Sequence, residues 1–210
     1  MRIGTVFVIF LSLIAFVAGV KYFIISPTPP TQYLENRVIL AFGDSLTYGY
    51  GASMEESYPK RLQHLLGREV INAGVPGEIS AEGVKRLPKL LEQYNPSLLI
   101  LCHGGNDILQ KKEGEELRSN LEKMILLAQV NHINVLLIAV PEFGLIRLSP
   151  PSLYGELAEK YTLPIEESIL SEILHDNRYK HDLVHPNAAG YEKMAKAVEK
   201  AIREQYRIER

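Results

Sequence analysis

The sequence RVILAFGDSLTYG, residues 37–49, joins an apolar run to a segment of small and polar residues. After Arg37 the run is apolar at every position, so residues 37–42 predict a strand that is buried on both faces. Such strands belong to parallel sheets, in which ligands bind beyond the carboxyl ends of the strands. We therefore expect Gly43, Asp44 and Ser45 to stand at a sheet edge that a ligand can reach.

Apolar runs and amphipathic segments alternate along the rest of the chain. We predict strands over 37–42, 70–71, 97–102 and 134–140, and helices over 58–66, 80–94, 115–131, 152–161, 166–174 and 187–206. This alternation, with continuously apolar strands, is typical of a mostly parallel sheet that is covered by helices on both faces. The sequence therefore predicts a doubly wound α/β domain.

The composition favours one domain with an ordinary hydrophobic core. The chain has 210 residues, of which 46% are apolar and 23% charged, enough for one well-packed domain but few for two. Its formal net charge of -2 provides no basic field, so we expect no nucleic-acid partner. Cys102 is the single cysteine of the sequence, which excludes an intramolecular disulfide.

The N-terminal residues are distinct from the α/β pattern. Residues 3–20 carry no charge, and the apolar character resumes after Lys21 over 22–25. A helix over 3–20 would be about 27 Å long, which is marginal for a bilayer core of about 30 Å, but continuing past Lys21 makes a span comfortable. Residues 1–25 are therefore predicted to be a transmembrane anchor or, alternatively, a signal peptide that is cleaved near the small residues 17–19.

The N-terminal segment also predicts a location for the rest of the chain. A Pro-rich spacer is expected over 26–36 and the folded domain over 37–210. Arg2 favours a cytoplasmic N-terminus, so one N-terminal helix would hold the domain at the membrane outside the cytoplasm, in the periplasm if the cell is Gram-negative. Cleavage of a signal peptide would instead release the domain after export.

Small and polar residues follow the predicted strands and precede the last helix. The segments are GDSLTYG at 43–49, NAGVPGE at 72–78, GGND at 104–107 and DLVHPN at 182–187. They supply a hydroxyl on Ser45, an imidazole on His185 and, three residues before it, a carboxylate on Asp182. A neutral imidazole activates a serine hydroxyl near physiological pH, and a carboxylate stabilises the imidazolium that forms. These are the parts of an acyl-transfer site.

Such a site also needs hydrogen-bond donors for the oxygen that becomes negatively charged in the tetrahedral intermediate. The candidate donors are the backbone N–H groups of Ser45 and Gly77 and the side-chain amide of Asn106. Asp44 is expected to order the turn that carries Ser45 and not to react itself.

The four segments resemble blocks I, II, III and V of the SGNH, or GDSL, superfamily of serine hydrolases, in particular its thioesterase/lysophospholipase and arylesterase branch. The resemblance runs from 37 to the last helix and includes RLP at 86–88 and NAAGY at 187–191. It implies a flavodoxin-like three-layer α/β/α sandwich. It also implies that Ser45 is the nucleophile and that Asp182 and His185 complete the triad. Gly77 and Asn106 would complete the oxyanion hole.

The resemblance further implies the class of substrate. The expected partner is a small-molecule acyl ester or thioester, such as an aryl ester, an acyl thioester or a lysophospholipid, and a membrane lipid is a possible substrate. Pro76 and Glu78 stand where relatives often carry a serine or threonine and an aspartate, and this departure bears on substrate preference.

Residues outside the four segments are candidates for substrate contact. His103 directly precedes the GGND segment. Leu145 and Ile146 lie in the loop 141–151, which is more apolar than a solvated loop usually is. This loop is expected to pack against the domain, or else to form a wall of the acyl pocket or a lip that touches the membrane.

Two other classes of function are compatible with parts of the pattern. One is a dinuclear metal site for phosphoester hydrolysis, although such sites need several more ligands than the candidates Asp44, Asn106, Asp107, His181 and His185. The other is a membrane-tethered acyl-binding domain without catalysis, whose signature would be a lost triad member. We therefore predict a serine hydrolase that needs no metal or organic cofactor, and the sequence leaves the natural substrate and the oligomeric state open.

Overall fold

The computed structural model describes residues 32–35, 37–112, 114–143 and 148–208. The predicted anchor or signal segment and the residues that follow it up to 31 lie outside these ranges, as do Leu145 and Ile146. Within the described ranges, no helix combines the length and the apolar character that are needed to cross a bilayer.

Strands and helices alternate along the described chain. The strands are β1 (Gln32–Leu34), β2 (Ile39–Gly43), β3 (Val70–Gly74), β4 (Leu98–Cys102), β5 (Asn134–Ile138), β6 (Glu142–Phe143), β7 (Leu148–Ser149), β8 (Ile165–Glu166) and β9 (Tyr206–Ile208). The helices are α1 (Ser45–Tyr48), α2 (Tyr58–Leu66), α3 (Ser80–Tyr94), α4 (Gly105–Leu109), α5 (Gly114–Val130), α6 (Leu153–Tyr161), α7 (Ile169–His175) and α8 (Ala188–Gln205), with a 3-10 turn at Met54–Glu56.

The central sheet is parallel and has helices on both faces. Its strand order is β3-β2-β4-β5-β8. Because crossovers are right-handed, the chain places α2 on one face when it steps from β2 to β3, and α3, α5 and α6 on the other face when it steps back across the sheet. Helix α8 packs on α2 and α7, which completes the first layer. The result is the three-layer α/β/α sandwich that the sequence predicts.

The strand register brings the predicted polar segments to one edge of the sheet. Gly43, the last residue of β2, pairs with Gly74 on one side and with Cys102 on the other. The segments that begin at Asp44, Val75 and His103 therefore leave the sheet together. A side chain on Gly43 would place its Cβ 1.9 Å from the Cys102 carbonyl oxygen, so this close approach of β2 and β4 requires glycine.

Three predictions differ most from the structure, which also has short elements that were not predicted, among them α1, α4, β6 and β7. Helices α2 and α3 have the predicted bounds, whereas β3 extends beyond the predicted 70–71 to Gly74. The helix predicted over 166–174 is wrong at its start, because Ile165–Glu166 pairs with β5 as the last strand of the sheet. The Glu166 carboxylate then accepts a hydrogen bond from the backbone of Ile169, where α7 begins.

The third difference lies in the predicted spacer. Residues Gln32–Leu34 form β1, which pairs in parallel with β9 at the other end of the chain. Leu34 is buried in the core, and the Arg68 guanidinium donates to the carbonyl oxygens of Leu34 and Glu35. Gln32–Leu34 therefore belongs to the folded unit and not to a spacer.

Candidate active site

Ser45 begins α1 immediately after β2. The preceding residue, Asp44, caps this helix, because its Oδ1 accepts a hydrogen bond from the backbone N–H of Leu46 at 3.0 Å. Gly49 ends the helix after one turn in the left-handed conformation. The hydroxyl of Ser45 is thereby held at the edge of the sheet, as the sequence predicts for the turn that Asp44 orders.

The imidazole of His185 lies between Ser45 and Asp182. Its Nε2 is 3.0 Å from Ser45 Oγ, and its Nδ1 is 2.8 Å from Asp182 Oδ2. Since an ionised carboxylate only accepts, Nδ1 carries the proton of the neutral ring and Nε2 is free to accept the serine proton. The ring of Tyr50 packs on this imidazole, with 4.6 Å between the ring centroids.

Asp182 also holds the loop on which it stands. Its Oδ1 accepts hydrogen bonds from the backbone N–H groups of Val184 and His185, both at 2.8 Å. Partial burial raises the pKa of this carboxyl, but the hydrogen bonds from the His185 ring and from the two backbone groups outweigh it and lower the pKa below its usual value. Asp182 is therefore ionised at neutral pH.

Gly77 and Asn106 face the same pocket as Ser45. Gly77 has a φ of +83°, a backbone conformation that side chains disfavour. The side-chain amide of Asn106 donates one hydrogen to the Glu78 carbonyl oxygen at 3.0 Å. An amide nitrogen carries two hydrogens, so the second remains to serve a substrate oxygen.

A partly buried ion pair lies behind these donors. Arg86 makes a bidentate contact with Glu78, with Nε 2.7 Å from Oε1 and Nη2 2.6 Å from Oε2. Burial raises the pKa of the Glu78 carboxyl, but the hydrogen bonds from Arg86 and His103 lower it by more, so the group is ionised. No local sequence pattern indicates this pair, although Arg86 belongs to the RLP segment that carries part of the resemblance.

Asp44 and Cys102 are buried titratable groups next to the nucleophile. Burial raises the pKa of the Asp44 carboxyl, and the nearby His103 and His185 rings and the Leu46 N–H offset this only in part. Its Oδ1 accepts the hydrogen bond from the Leu46 N–H, and the nearby Gly105 N–H also lowers the pKa. Burial also raises the pKa of the Cys102 thiol well above its usual value, as expected for an inert thiol.

The pocket beside Ser45 is small and largely apolar. Its volume is about 200 Å³. The apolar lining comes from several segments at this edge of the sheet, namely from Leu46, Tyr50, Pro76, Leu109, Val140 and Val184. Among the described residues, a cavity of this size accommodates a short acyl group and opens to solvent at its mouth.

The other predicted contact residues do not line this pocket or are not described. His103 is fully buried and contacts Glu78, so its position does not support the predicted contact with substrate. Leu145 and Ile146 lie outside the described residues. His181 stands in the same loop as His185, with its ring against Tyr50.

The alternative of a dinuclear metal site finds no support in the side-chain geometry. The carboxylate of Asp107 is turned toward Ser80, whose backbone N–H and hydroxyl donate to its two oxygens at 2.8 and 2.7 Å. Within the described part of the chain, no three His, Cys, Asp or Glu side chains are grouped in a way that would hold a metal ion.

A hydroxyl, an imidazole and a carboxylate that are hydrogen-bonded in series, at the carboxyl edge of a parallel sheet, are characteristic of serine hydrolases with α/β architecture. Residues 41–193 match the GDSL-like Lipase/Acylhydrolase family, and the chain belongs to this family. It is a carboxylic ester hydrolase with the SGNH hydrolase fold, which confirms the predicted fold and enzyme class.

Several characterised proteins are similar to this chain. An arylesterase of Vibrio mimicus is 33% identical over 146 residues, which cover 65% of this chain and 72% of the arylesterase. Thioesterase 1/protease 1/lysophospholipase L1 of Escherichia coli strain K12 is 29% identical over 162 residues, which cover 71% and 75% of the two chains. The crystal structure of AlinE4, an SGNH-hydrolase family esterase, has a TM-score of 0.62 at 34% identity and covers 80% of this chain and 95% of its own.

Proposed function

We propose that this chain hydrolyses small carboxylic esters and thioesters through an acyl-enzyme on Ser45. The observation that carries the proposal is the series of short contacts from Ser45 Oγ through His185 to Asp182, at 3.0 and 2.8 Å, beside a pocket for a short acyl group. The arylesterase and the thioesterase among its relatives extend the proposed substrates to aryl esters and thioesters.

The first half-reaction acylates the enzyme. Ser45 Oγ attacks the acyl carbonyl carbon while His185 Nε2 takes the hydroxyl proton, and Asp182 stabilises the imidazolium through Nδ1–H. The carbonyl π electrons move to oxygen, which becomes an oxyanion. When the tetrahedral intermediate collapses, the alcohol or thiol leaves with the proton from Nε2. The acyl group then remains on Ser45 as an ester.

The second half-reaction regenerates the enzyme. Water attacks the acyl carbonyl while the same Nε2 takes its proton, and collapse releases the carboxylic acid as Ser45 regains its hydrogen. The oxyanions of both halves would accept hydrogen bonds from the N–H groups of Ser45 and Gly77 and from the free amide hydrogen of Asn106. Loss of one such donor typically costs about 3 kcal/mol of transition-state stabilisation.

A fluorophosphonate probe tests the nucleophile directly. The folded wild-type protein is expected to gain the mass of one phosphonyl group on the peptide that contains Ser45, with loss of activity toward an aryl acetate. The Ser45→Ala variant is expected to stay unlabelled and inactive. A folded wild-type protein that remains unlabelled at Ser45 would favour the non-catalytic acyl-binding domain instead.

Two histidines in one loop provide a matched control for the base. His185→Ala is expected to abolish labelling, because this ring contacts Ser45 Oγ. His181→Ala removes a neighbouring imidazole that packs on Tyr50 and should leave labelling close to the wild-type rate. Equal losses in both variants would contradict the assigned base.

A membrane lipid or lysophospholipid is a second candidate substrate. Tyr50 and Leu109 line the pocket and are 47% and 49% exposed, and Leu183, beside the pocket-lining Val184, is 78% exposed. Exposed apolar side chains around a pocket mouth favour contact with an apolar or amphiphilic surface. We therefore include esters that are presented by a lipid aggregate among the proposed substrates.

The lipid proposal is tested by comparing dissolved and aggregated substrates. Leu183→Ser is expected to lower the rate on lysophosphatidylcholine micelles more than the rate on a dissolved aryl acetate. The control is Val130→Ser, which changes a side chain that is 70% exposed at the end of α5 and does not line the pocket. If the ratio of the micelle rate to the aryl acetate rate is the same in Leu183→Ser and Val130→Ser, the membrane lipid is no longer a proposed substrate.

We further propose that the N-terminal segment holds the hydrolase domain at the membrane outside the cytoplasm, with export after cleavage as the alternative. The uncharged residues 3–20 and the Pro-rich stretch after them support this location. Fractionation of cells that express the full chain should recover activity with the membrane, and N-terminal sequencing of the mature protein distinguishes anchor from cleaved signal. Recovery in the cytoplasmic fraction would contradict both.

A further inference from the structure

Glu78 contacts both of the segments that carry the candidate oxyanion donors. It directly follows Gly77, and its backbone carbonyl accepts the hydrogen bond from Asn106 Nδ2 at 3.0 Å. Its carboxylate reaches the same second segment, because Oε2 lies 3.1 Å from His103 Nε2. Glu78 therefore joins the segment after β3 to the segment after β4 through its main chain and its side chain.

Arg86 holds the Glu78 carboxylate in one orientation through the bidentate contact. The guanidinium carbon lies 4.3 Å from the centroid of the Phe42 ring, and Nη2 is 3.4 Å from the Gly43 carbonyl oxygen. Phe42 and Gly43 are the last residues of β2, which ends next to Ser45. The ion pair is therefore fixed to the strand that carries the nucleophile.

His103 completes the connection from inside the protein. Its Nδ1 accepts a hydrogen bond from the Gly104 N–H at 3.0 Å, so the proton of the neutral ring lies on Nε2, which donates to Glu78. The ring is fully buried, and helix α3 makes room for it at Gly83, where an added Cβ would lie 2.6 Å from Nε2. The absence of a side chain at Gly83 therefore provides the space that this imidazole occupies.

A second buried contact ties the same two segments beyond Asn106. Ser80 donates to both oxygens of Asp107, and Asn120 donates to the Ser80 hydroxyl at 3.0 Å. Asn106 thus stands between two points, His103 and Asp107, at which its segment is bound to the segment of Gly77. This arrangement fixes the separation of the two donors.

We infer that Glu78, oriented by Arg86 and linked to His103, is a positioning residue of the oxyanion hole that sets Gly77 and Asn106 at the distance required by the transition state. The inference rests on the proposed acyl-enzyme mechanism. Glu78, Arg86 and His103 do not line the pocket, so they act through the two donors and not on the substrate. Donors that are displaced weaken charge stabilisation in the transition state and leave ground-state binding nearly unchanged.

Glu78→Gln tests the carboxylate. The variant keeps the backbone carbonyl and the side-chain volume but removes the charge that Arg86 holds. We expect kcat to fall by about tenfold with KM within about twofold, because a small misplacement of a catalytic group is costly. The inhibition constant of an aryl boronic acid should rise by a similar factor, since its tetrahedral adduct on Ser45 places a boron-bound oxygen in the same hole.

The matched control is Glu156→Gln. Glu156 pairs with Arg118 at 2.7 Å on the surface of α6 and α5 and does not line the pocket. Its loss removes a carboxylate–guanidinium contact of similar length without touching the donor segments. We expect kcat, KM and the boronic acid constant to stay at wild-type values in this variant.

Two substitutions of His103 separate its two hydrogen bonds. His103→Gln places an amide nitrogen near the position of Nε2 and keeps a donor for Glu78, whereas His103→Asn places an oxygen near Nδ1 and lacks that donor. We expect His103→Gln to recover most of kcat and His103→Asn to lose about tenfold, by the same misplacement argument. Equal kcat in the two variants would overturn the link between His103 and Glu78.

Thermal unfolding distinguishes positioning from simple support of the fold. A lower Tm in Glu78→Gln with unchanged kcat per folded molecule and an unchanged boronic acid constant would overturn the inference. A wild-type protein that neither hydrolyses esters nor reacts with a fluorophosphonate would overturn the proposed function and this inference with it. Failure of the positioning inference and failure of the proposed function therefore give different results.

Discussion

The Nδ1 atom of His185 lies 2.8 Å from Oδ2 of Asp182, while the backbone N–H of His185 donates to Oδ1 of the same carboxylate, also at 2.8 Å. Asp182 therefore orients both the ring and the main chain of the residue that it supports. The N–H of Val184 is a second backbone donor to Oδ1. One carboxylate thus folds the loop with Oδ1 and selects the tautomer of the imidazole with Oδ2.

Asp182→Asn separates these two roles. An asparagine oxygen can still accept the two backbone hydrogen bonds, but the amide nitrogen presents a donor to Nδ1 and moves the ring proton to Nε2, where it blocks transfer from Ser45. We expect kcat to fall by about four orders of magnitude, as in triads that hold the wrong tautomer, with Tm changed by less than about 3 °C. Steady-state kinetics and thermal unfolding measure the two effects.

The control for this variant is Asp176→Asn. Asp176 forms an ion pair with Arg178 a few residues before the loop and has no contact with His185. Its substitution should leave kcat unchanged. A kcat for Asp182→Asn within tenfold of this control would show that the carboxylate is not needed for the base.

The size of the acyl group is expected to depend on Val140. This residue follows β5, is fully buried and lines the pocket. Val140→Ala removes two methyl groups from the wall, so the ratio of kcat/KM for a hexanoyl ester to that for an acetyl ester should rise by about tenfold. The measurement is a panel of aryl esters of increasing acyl length.

Val198→Ala is the matched control for the pocket. Val198 is also fully buried but lies on α8 and does not line the pocket. Both variants should lose a similar free energy of unfolding, about 2 kcal/mol, because each leaves a small cavity. An equal change in chain-length preference in the two variants would mean that Val140 does not limit the acyl group.

The parts of the fold that could be predicted are those that the local sequence determines. The apolar run before Gly43 and the polar segment after it predict a buried strand and a sheet edge, and Ser45 lies directly after that strand. The contact of Glu78 with His103 could not be predicted, because it depends on two loops that meet only through the sheet register. The two-residue strand β8 is too short to produce a sequence pattern, and β1 depends on a partner at the far end of the chain.

Gly43→Ala should destabilise the protein strongly. The added Cβ would lie 1.9 Å from the Cys102 carbonyl oxygen and 2.4 Å from Thr47 Oγ1, so β2 and β4 would have to separate. We expect a loss of about 3 kcal/mol or more in the free energy of unfolding, the upper range for overpacking. Urea unfolding measures this loss, and Gly114→Ala is the control. At Gly114 an added Cβ meets no described atom within 4 Å, so the free energy of unfolding should rise by at most about 1 kcal/mol. Equal stability of the two variants would contradict the close approach.

Truncation at two points tests whether β1 belongs to the folded domain. A protein that lacks residues 1–30 keeps β1, whereas a protein that lacks residues 1–35 loses the buried Leu34 and the carbonyl acceptors of Arg68. The shorter protein should be less stable by about 2 kcal/mol or more, by analogy with the loss of a buried leucine, when both are unfolded in urea. Equal free energies of unfolding in the two proteins would show that Gln32–Leu34 does not stabilise the domain and belongs to the spacer.

Asp44 is expected to make the stability of the protein depend on pH. Burial raises the pKa of its carboxyl above the usual value of 3.8. The folded protein therefore holds this proton more tightly than the unfolded chain does. Ionisation then costs the folded state free energy, so the contribution of Asp44 to stability falls as pH rises from the usual value to the raised one.

Asp44→Asn removes this cost and keeps the helix cap, because an asparagine oxygen can accept the Leu46 N–H as Oδ1 does. The difference in free energy of unfolding between the variant and the wild type should therefore shift in favour of the variant from pH 4 to pH 8. Urea unfolding at several pH values measures this difference. If this difference in free energy of unfolding stays constant with pH, Asp44 ionises at no cost in the folded protein. If it shifts in favour of the wild type as pH rises, the folded state favours the charged carboxylate.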